Sequence, residues 1–154
     1  MLSQEEKKEI DHAISQVPVK KAACIEALKI VQARRRWISD ETLHEVADYM
    51  EISPESLDSV STFYNLLFRK PVGRHVILIC DSISCWVMGY ESLLQHLSSK
   101  LGIKLGETTT DDRFTLLPNC CLGTCDRAPA FMIDNDLYRD VTADQLDDIL
   151  KKYA

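Results

Sequence analysis

The most constraining feature of this sequence is a cluster of cysteines in residues 118–129, where three of the six cysteines lie within six residues. A glycine lies among them, and a proline stands at each end of the segment. Because an exposed thiol oxidises readily, such a cluster indicates a metal, an iron–sulfur cluster, a disulfide or a reactive thiolate. A second pair, Cys80 and Cys85, lies upstream. We therefore expect a fold that brings the two cysteine loops together.

Composition and charge narrow the classes of protein that fit this cluster. A chain of 154 residues, 45% of them hydrophobic, is long enough for one or two small domains. Residues 1–8 lack the apolar centre of a signal peptide, and no apolar run is long enough to cross a bilayer, so we expect a cytoplasmic protein without direct membrane insertion. Reducing conditions disfavour disulfides and favour metal or redox chemistry. The net charge of −6 argues against a nucleic-acid partner.

Residues 1–70 have the periodicity of a small helical bundle with three or four short amphipathic helices. Ser3 and Glu6 form a capping box at the start of the first helix. The apolar stripe of the second helix includes Cys24, which we interpret as a core residue and not as a ligand. Residues 34–36 are all arginine, which is typical of cations at a helix C-terminus, with a partner-protein contact as the alternative.

From residue 71 onward the pattern changes to alternating strands and helices. It predicts a buried strand, a helix, a second strand, a hairpin and a last helix, at residues 75–80, 89–101, 114–117, 130–139 and from 142 onward. The order βαβ–ββ–α is the minimal thioredoxin-like topology. We therefore predict an α+β or α/β protein, with a helical domain in residues 1–70 and a thioredoxin-like domain in residues 71–154.

This topology places the two cysteine loops at one edge of the sheet, because the carboxyl ends of parallel strands share an edge and ligands bind there. The layout is C-x4-C, 35 residues, then C-x3-C, or C-x4-C if Cys120 replaces Cys121. Four thiolates suit zinc, a [2Fe-2S] cluster or a mononuclear iron. The gaps exceed those of zinc knuckles, which favours the iron–sulfur cluster, and the lack of C-x-x-C weakens a thiol-based redox enzyme.

A family resemblance rests on segments spread over nearly the whole chain: residues 27–32, 37–38, 62–64, 71–75, 80–82, 106–109, 114–116 and 121–125. In these segments the chain resembles the small [2Fe-2S] subunits of respiratory complex I, which are the E subunits of bacterial NADH-quinone oxidoreductases. Related subunits serve NAD-linked hydrogenases and formate dehydrogenases. The paired cysteine motifs at this separation are the most specific part of the resemblance.

The resemblance implies a ligand set for the [2Fe-2S] cluster: Cys80, Cys85, Cys121 and Cys125. Cys120 then becomes a neighbour of the site, at a position where many members of the family have an acidic residue. The chain also departs from the family at Arg36 and Asp112, where a glycine often stands. These two departures lie at the end of the second helix and in the turn before residue 114. The thioredoxin-like fold further implies a cis proline at Pro129.

The resemblance also implies a function, that of a one-electron carrier subunit in an NADH dehydrogenase of the respiratory chain. A partner flavoprotein subunit would bind NADH and FMN, and the cluster would accept an electron from FMN. The chain itself carries no nucleotide fingerprint and so no substrate site. Residues 1–70, with the arginine run and with Phe63 and Tyr64, are the candidate docking domain, the alternative being that these two aromatic side chains cover the sheet. The complex would lie peripheral to the inner membrane. The alternative functions are a zinc-stabilised interaction module and the equivalent subunit of an NAD-linked hydrogenase or formate dehydrogenase.

Overall fold

Four helices form the first part of the chain in this computed structural model, which describes residues 1–153. They are α1 (Gln4–Ser15), α2 (Cys24–Arg35), α3 (Asp40–Met50) and α4 (Pro54–Phe63), and a short 3-10 turn, Lys20–Ala23, leads into α2. They belong to a compact unit that ends at Pro71, and a second unit begins at Val72. Their apolar faces meet in one core that includes Ile10, Cys24, Ala27, Leu28, Val31, Ile38, Leu43, Val46, Met50 and Leu57.

Local sequence explains where these helices begin. The Ser3 hydroxyl accepts a hydrogen bond from the Glu6 N–H at 3.1 Å, and the Glu6 carboxylate accepts one from the Ser3 N–H at 2.7 Å. This reciprocal capping box is the one predicted from sequence, and it satisfies two backbone donors that α1 would otherwise leave unpaired. At the starts of α3 and α4, the side-chain oxygens of Ser39 and Ser53 accept hydrogen bonds from the backbone N–H groups of Thr42 and Ser56.

The arginine run lies at the C-terminus of α2, as one of the two interpretations predicted, and two of its three cations, Arg34 and Arg35, form ion pairs within the helical unit. Arg35 donates to Glu6 on α1 at 3.0 Å and to Glu45 on α3 at 3.1 Å, and Arg34 pairs with Glu9 on α1 at 2.7 Å. Burial pushes the pKa of Glu6 up, but the hydrogen bonds from Arg35 and Ser3 together hold it below its usual value. Arg34 and Arg35 therefore tie three helices together, whereas Arg36 is exposed.

The second unit contains a four-stranded sheet built from β1 (His75–Cys80), β2 (Phe114–Asn119), β3 (Phe131–Ile133) and β4 (Asp136–Tyr138), in the order β2-β1-β3-β4. β1 and β2 are parallel, and β3 is antiparallel to both β1 and β4. The chain crosses from β1 to β2 through α6 (Tyr90–Leu101), and α7 (Leu146–Leu150) follows the hairpin. This arrangement confirms the predicted thioredoxin-like fold.

The register of the parallel pair sets the position of the cysteine loops. His75 lies opposite Phe114 at one end, and Cys80 lies opposite Asn119 at the other. The core of this unit combines the sheet with α6 and α7 through buried residues that include Ile77, Ile79, Leu93, Leu97, Phe114, Leu116, Phe131, Ile133 and Leu146. The continuous apolar run of β1 is thus explained by burial of nearly all its residues.

Several details differ from the predictions or extend them. A short helix, α5 (Ile83–Val87), follows β1 directly and was not predicted. Arg36 and Asp112, the two positions at which the resemblance led us to expect glycine, adopt positive φ angles of 69° and 53°, a conformation that favours glycine. The Ala128–Pro129 peptide is cis, as predicted. Among residues 1–153, no helix combines the length and apolar character that crossing a membrane requires.

Candidate functional site

The two cysteine loops leave the sheet side by side. Beyond the last paired residues of β1 and β2, the Asp81 N–H donates to the Asn119 carbonyl at 3.0 Å. On the other side of β1, the Cys80 N–H donates to the Ala130 carbonyl at 3.1 Å. These bonds fix the start of each loop, so the parallel strands place both at one edge of the sheet, as the sequence predicted.

The four predicted ligands come together in two pairs. The sulfur atoms of Cys121 and Cys125 lie 3.9 Å apart. The thiol of Cys85 interacts with that of Cys80, and Cys80 also interacts with Cys121 and Cys125. The structure therefore brings four thiols from two loops into one site.

The remaining two cysteines lie apart from this group. Cys120 is a free cysteine and is exposed. Cys24 is buried in the core of the helical unit, as expected for an apolar position on α2. The structure thus places Cys121 with Cys125 and leaves Cys120 outside, a choice that spacing alone left open.

The two pairs sit in different environments. Cys80 ends β1 and Cys85 lies on α5, and both are buried, together with the small side chains of Ala128 and Ala130. Cys121 and its partner on the short turn Cys125–Arg127 are exposed. One half of the site is therefore enclosed in an apolar pocket, and the other faces solvent.

Backbone and side-chain donors hold the exposed loop in shape. The Gly123 N–H donates to the Cys121 sulfur at 3.3 Å, and this glycine has a φ of +72°. The side-chain amide of Asn119 donates to the Cys121 carbonyl at 2.9 Å. A donor that points at sulfur stabilises the thiolate, and a left-handed residue at this place favours glycine.

The thiol pKa values follow these environments. Burial, and then hydrogen bonding with Cys80, raises the pKa of Cys85 to about 11. The Gly123 N–H, followed by hydrogen bonding with Cys125, lowers the pKa of Cys121. The same pair interaction raises the pKa of Cys125. Cys121 is thus the thiol of this exposed pair that ionises first.

The donor set fits an iron–sulfur cluster. Two thiolates on one tetrahedral metal at about 2.3 Å have their sulfurs roughly 3.8 Å apart, and the exposed pair has this spacing. A [2Fe-2S] cluster takes two cysteines on each iron, which matches two pairs of thiols. In residues 1–153, no group of three or more His, Cys, Asp or Glu side chains is arranged to hold a single metal ion.

A buried hydroxyl in the same loop lacks a partner. Thr124 lies between Gly123 and Cys125, is 7% exposed, and its Oγ1 has no hydrogen bond to any described residue. A buried polar group without a partner is costly and rare in folded proteins. The loop between the exposed cysteines therefore holds a donor that an acceptor such as a cluster sulfur would satisfy.

The comparison with protein families bears on this site directly. The model of the thioredoxin-like [2Fe-2S] ferredoxin family matches residues 10–154. The chain belongs to this family. The family is defined by its [2Fe-2S] cluster, and the chain supplies four thiols where its two cysteine loops meet.

Named relatives place the chain more narrowly. It is 46% identical over 154 residues to the E subunit of NADH-quinone oxidoreductase from Pseudomonas aeruginosa, covering 100% of this chain and 93% of the relative. It is 46% identical over 152 residues to the corresponding protein of Escherichia coli K12, covering 99% of this chain and 92% of the relative. The chain therefore also belongs to the family of NADH-quinone oxidoreductase E subunits.

The fold has a relative among solved structures. A chain of an NAD+-reducing [NiFe]-hydrogenase in the H2-reduced state superposes with a TM-score of 0.72 and is 26% identical. The match covers 84% of this chain and 22% of the hydrogenase chain, so this chain corresponds to less than a quarter of that longer protein. The fold thus occurs in two kinds of NAD-linked oxidoreductase.

Sequence reasoning missed two features of the site. The first is α5. Its only signal in the sequence is Ser82, the N-cap residue, which stands before a short apolar run. The second is the unpartnered hydroxyl of Thr124, for which the sequence has no signal. Both features depend on how the two loops pack, which periodicity does not report.

Proposed function

We propose that this chain is a one-electron carrier that accepts an electron from FMN on a partner flavoprotein subunit of an NADH dehydrogenase. The observation that carries the proposal is the meeting of four thiols from two loops, in a chain that belongs to the [2Fe-2S] family. When bound, the cluster supplies a one-electron acceptor. The proposed ligands are Cys80, Cys85, Cys121 and Cys125.

The chain's own residues have distinct roles in this proposal. Cys80 and Cys85 hold the buried side of the site in a pocket where Ala128 and Ala130 exclude water. Around the exposed pair, the Gly123 N–H offsets negative charge on sulfur. Enclosure and donated hydrogen bonds act on a redox centre in opposite directions, since a low dielectric disfavours added negative charge and donors favour it.

Partner and location belong to the same proposal. NADH and FMN bind the flavoprotein subunit, and the assembled complex lies peripheral to the inner membrane. In the helical unit, Phe63 and Tyr64 form an edge-to-face pair with ring centroids 5.1 Å apart, and both rings are exposed, as is Leu66. Exposed aromatic side chains are common anchors at interfaces, which supports a docking role for residues 1–70. Arg34 and Arg35, which pair with glutamates within the unit, are left out of that surface.

Anaerobic purification tests the proposal. We expect a red-brown protein with two irons and two sulfides per chain, which becomes paramagnetic when reduced. Iron and sulfide analysis with electron paramagnetic resonance measures this directly. A colourless protein with one zinc would contradict the proposal and favour the zinc-stabilised interaction module instead. Mixing with the flavoprotein subunit and NADH should then reduce the cluster.

A further inference from the structure

The outer face of α5 is exposed and apolar, although the helix carries a proposed ligand on its other side. Four side chains make up this α5 face, with exposures of 80% for Ile83, 59% for Trp86, 68% for Val87 and 60% for Met88. Residues i, i+3 and i+4 lie on one side of a helix, which groups Ile83, Trp86 and Val87. Cys85 points to the opposite side and is buried.

An apolar stripe of this kind normally packs into a core. On α6 the equivalent stripe is buried, with Leu93 and Leu97 packed against the sheet. A contiguous group of large exposed apolar side chains on a folded chain indicates a binding surface. Tryptophan anchors many interfaces, and methionine adapts to irregular partner surfaces, so Trp86 and Met88 suit this role.

The surroundings of the α5 face are acidic. Asp81 precedes the helix, Glu91 accepts a hydrogen bond from the Trp86 indole at 3.4 Å, and Asp126 lies on a turn that packs against α5. Within residues 1–153, no salt bridge reaches any of these three exposed carboxylates. Arg127, the cation beside Asp126, is engaged by Asp140 at 2.6 Å. An oxidised [2Fe-2S] cluster with four thiolates would add a charge of about −2.

We propose that the α5 face docks the flavin-bearing partner subunit, through a surface on that subunit with an apolar centre and a rim of Lys and Arg. This inference rests on the proposed function, since it names a further contact surface for the same electron donor, in addition to residues 1–70. A second copy of this chain is a poor occupant, because a two-fold contact would set like acidic rims against each other. A basic rim on the partner complements Asp81, Glu91 and Asp126.

Docking here also suits electron transfer. Cys85 is the residue directly before Trp86, so a partner seated on the α5 face lies against the wall of the cysteine site. A seated partner would cover the four apolar side chains and exclude water from the side of the site that α5 forms. Apolar centres ringed by polar contacts are the usual anatomy of specific interfaces.

A carboxylate introduced at an apolar position tests the surface, with an exposed leucine outside the α5 face as the control. Val87→Glu places a carboxylate in the α5 face, and Leu105→Glu places one elsewhere on the second unit, at a leucine that is 36% exposed. Each cluster-loaded variant is titrated with the purified flavoprotein subunit of the same complex, and its affinity and NADH-driven cluster reduction are measured. We expect at least about a tenfold weaker affinity for Val87→Glu and no change for Leu105→Glu.

Three outcomes would overturn the proposal. The first is that both variants bind the flavoprotein as tightly as the wild type does, and the second is that the wild type self-associates and Val87→Glu abolishes only this self-association. The third is that flavoprotein binding does not weaken between about 50 and about 500 mM salt. Met88→Glu replaces Val87→Glu if the latter fails to load its cluster. A different result would contradict the proposed function and leave the docking surface intact. In that case the wild type binds the flavoprotein and Val87→Glu does not, but NADH does not reduce the cluster of the bound wild type.

Discussion

The two cysteine pairs of the site are held by different kinds of structure. Cys80 and Cys85 come from a central strand and a short helix, are buried, and pack with small apolar residues. Cys121 and Cys125 come from one loop, are exposed, and rely on a glycine N–H and an asparagine amide for their geometry. The fold thus fixes one half of the site through its core and the other through loop hydrogen bonds.

Because of this difference, one pair mainly fixes where sulfurs lie in the site, and the other pair mainly sets how easily a sulfur carries negative charge. The buried pair has little freedom to move, because strand pairing and packing determine where its sulfurs lie. The exposed pair keeps its sulfurs accessible, and its thiolate character depends on donors that a local change can weaken. Changes in the loop should therefore tune the site, whereas loss of any one ligand should abolish it.

The largest expected effect is the loss of a ligand. Cys125→Ala should lose most of the cluster, because a single cysteine remains on that side of the site. Cys24→Ala, at a buried cysteine of the helical core, should keep it and cost only packing stability, about 1 kcal/mol. Iron and sulfide content and the visible spectrum compare the two variants. Equal loss in both would show that the ligands are misassigned.

The next effect is on thiol reactivity in the protein without its cluster. At pH 8 a pKa of about 11 leaves the Cys85 thiolate roughly a hundredfold scarcer than that of a thiol with a pKa of 9. Cys121, whose pKa is lowered, ionises at a lower pH than an ordinary thiol. Alkylation of Cys121 should thus rise first as the pH increases, and that of Cys85 last.

Peptide-level mass spectrometry measures the alkylation rate of each cysteine in time courses at pH values from 6 to 10. Cys24 serves as a buried control whose pKa is also raised by burial. Alkylation after unfolding in denaturant should remove the difference between Cys85 and Cys121, since both then take the pKa of a free thiol. Similar rates for these two cysteines in the folded protein would contradict the comparison between the pairs.

The smallest expected effect concerns the backbone of the exposed loop. Gly123 and Gly102 have nearly the same φ, +72° and +70°, and an added Cβ would meet nothing within 4 Å at either. Alanine at each should therefore cost a similar free energy of unfolding, about 1 kcal/mol, from conformational strain alone. Only Gly123 donates to a cysteine sulfur.

A shift of the loop in Gly123→Ala weakens that hydrogen bond and should lower the reduction potential of the loaded protein, because a donor that stabilises the reduced site is lost. Gly102→Ala should leave the potential unchanged. Denaturant titration and redox titration together separate strain from the loss of the donor. Equal potentials in the two variants would mean that the Gly123 N–H does not act on the site.

Much of the fold could be read from sequence because strong, regular signals carry it. The apolar run of residues 75–80 predicted a buried strand, and the capping box at Ser3 predicted the start of α1. The edge at which the loops meet followed from the parallel pair. Each of these signals depends on periodicity or on neighbouring residues, which the sequence displays directly.

Other features depend on contacts that the sequence does not display. Spacing allowed either Cys120 or Cys121 in the site, and only the packed loop places Cys121 beside Cys125. α5 is too short for its period to be detected. Arg36 and Asp112 adopt positive φ angles that favour glycine, at a cost of about 1–2 kcal/mol per residue, and neither residue type signals this.

The parallel register that sets Cys80 opposite Asn119 has a consequence for how the protein is made. Neither cysteine loop alone supplies four thiols. The second loop lies after α6 and β2 in the chain, so it is synthesised later than the first. Bringing the two cysteine loops together costs chain entropy, and contacts with the cluster offset this cost only after the loops have met. Pairing of β1 with β2 therefore precedes a complete site. Cofactor loading therefore reports on tertiary assembly: a chain that misregisters these strands stays colourless, however well its helices form.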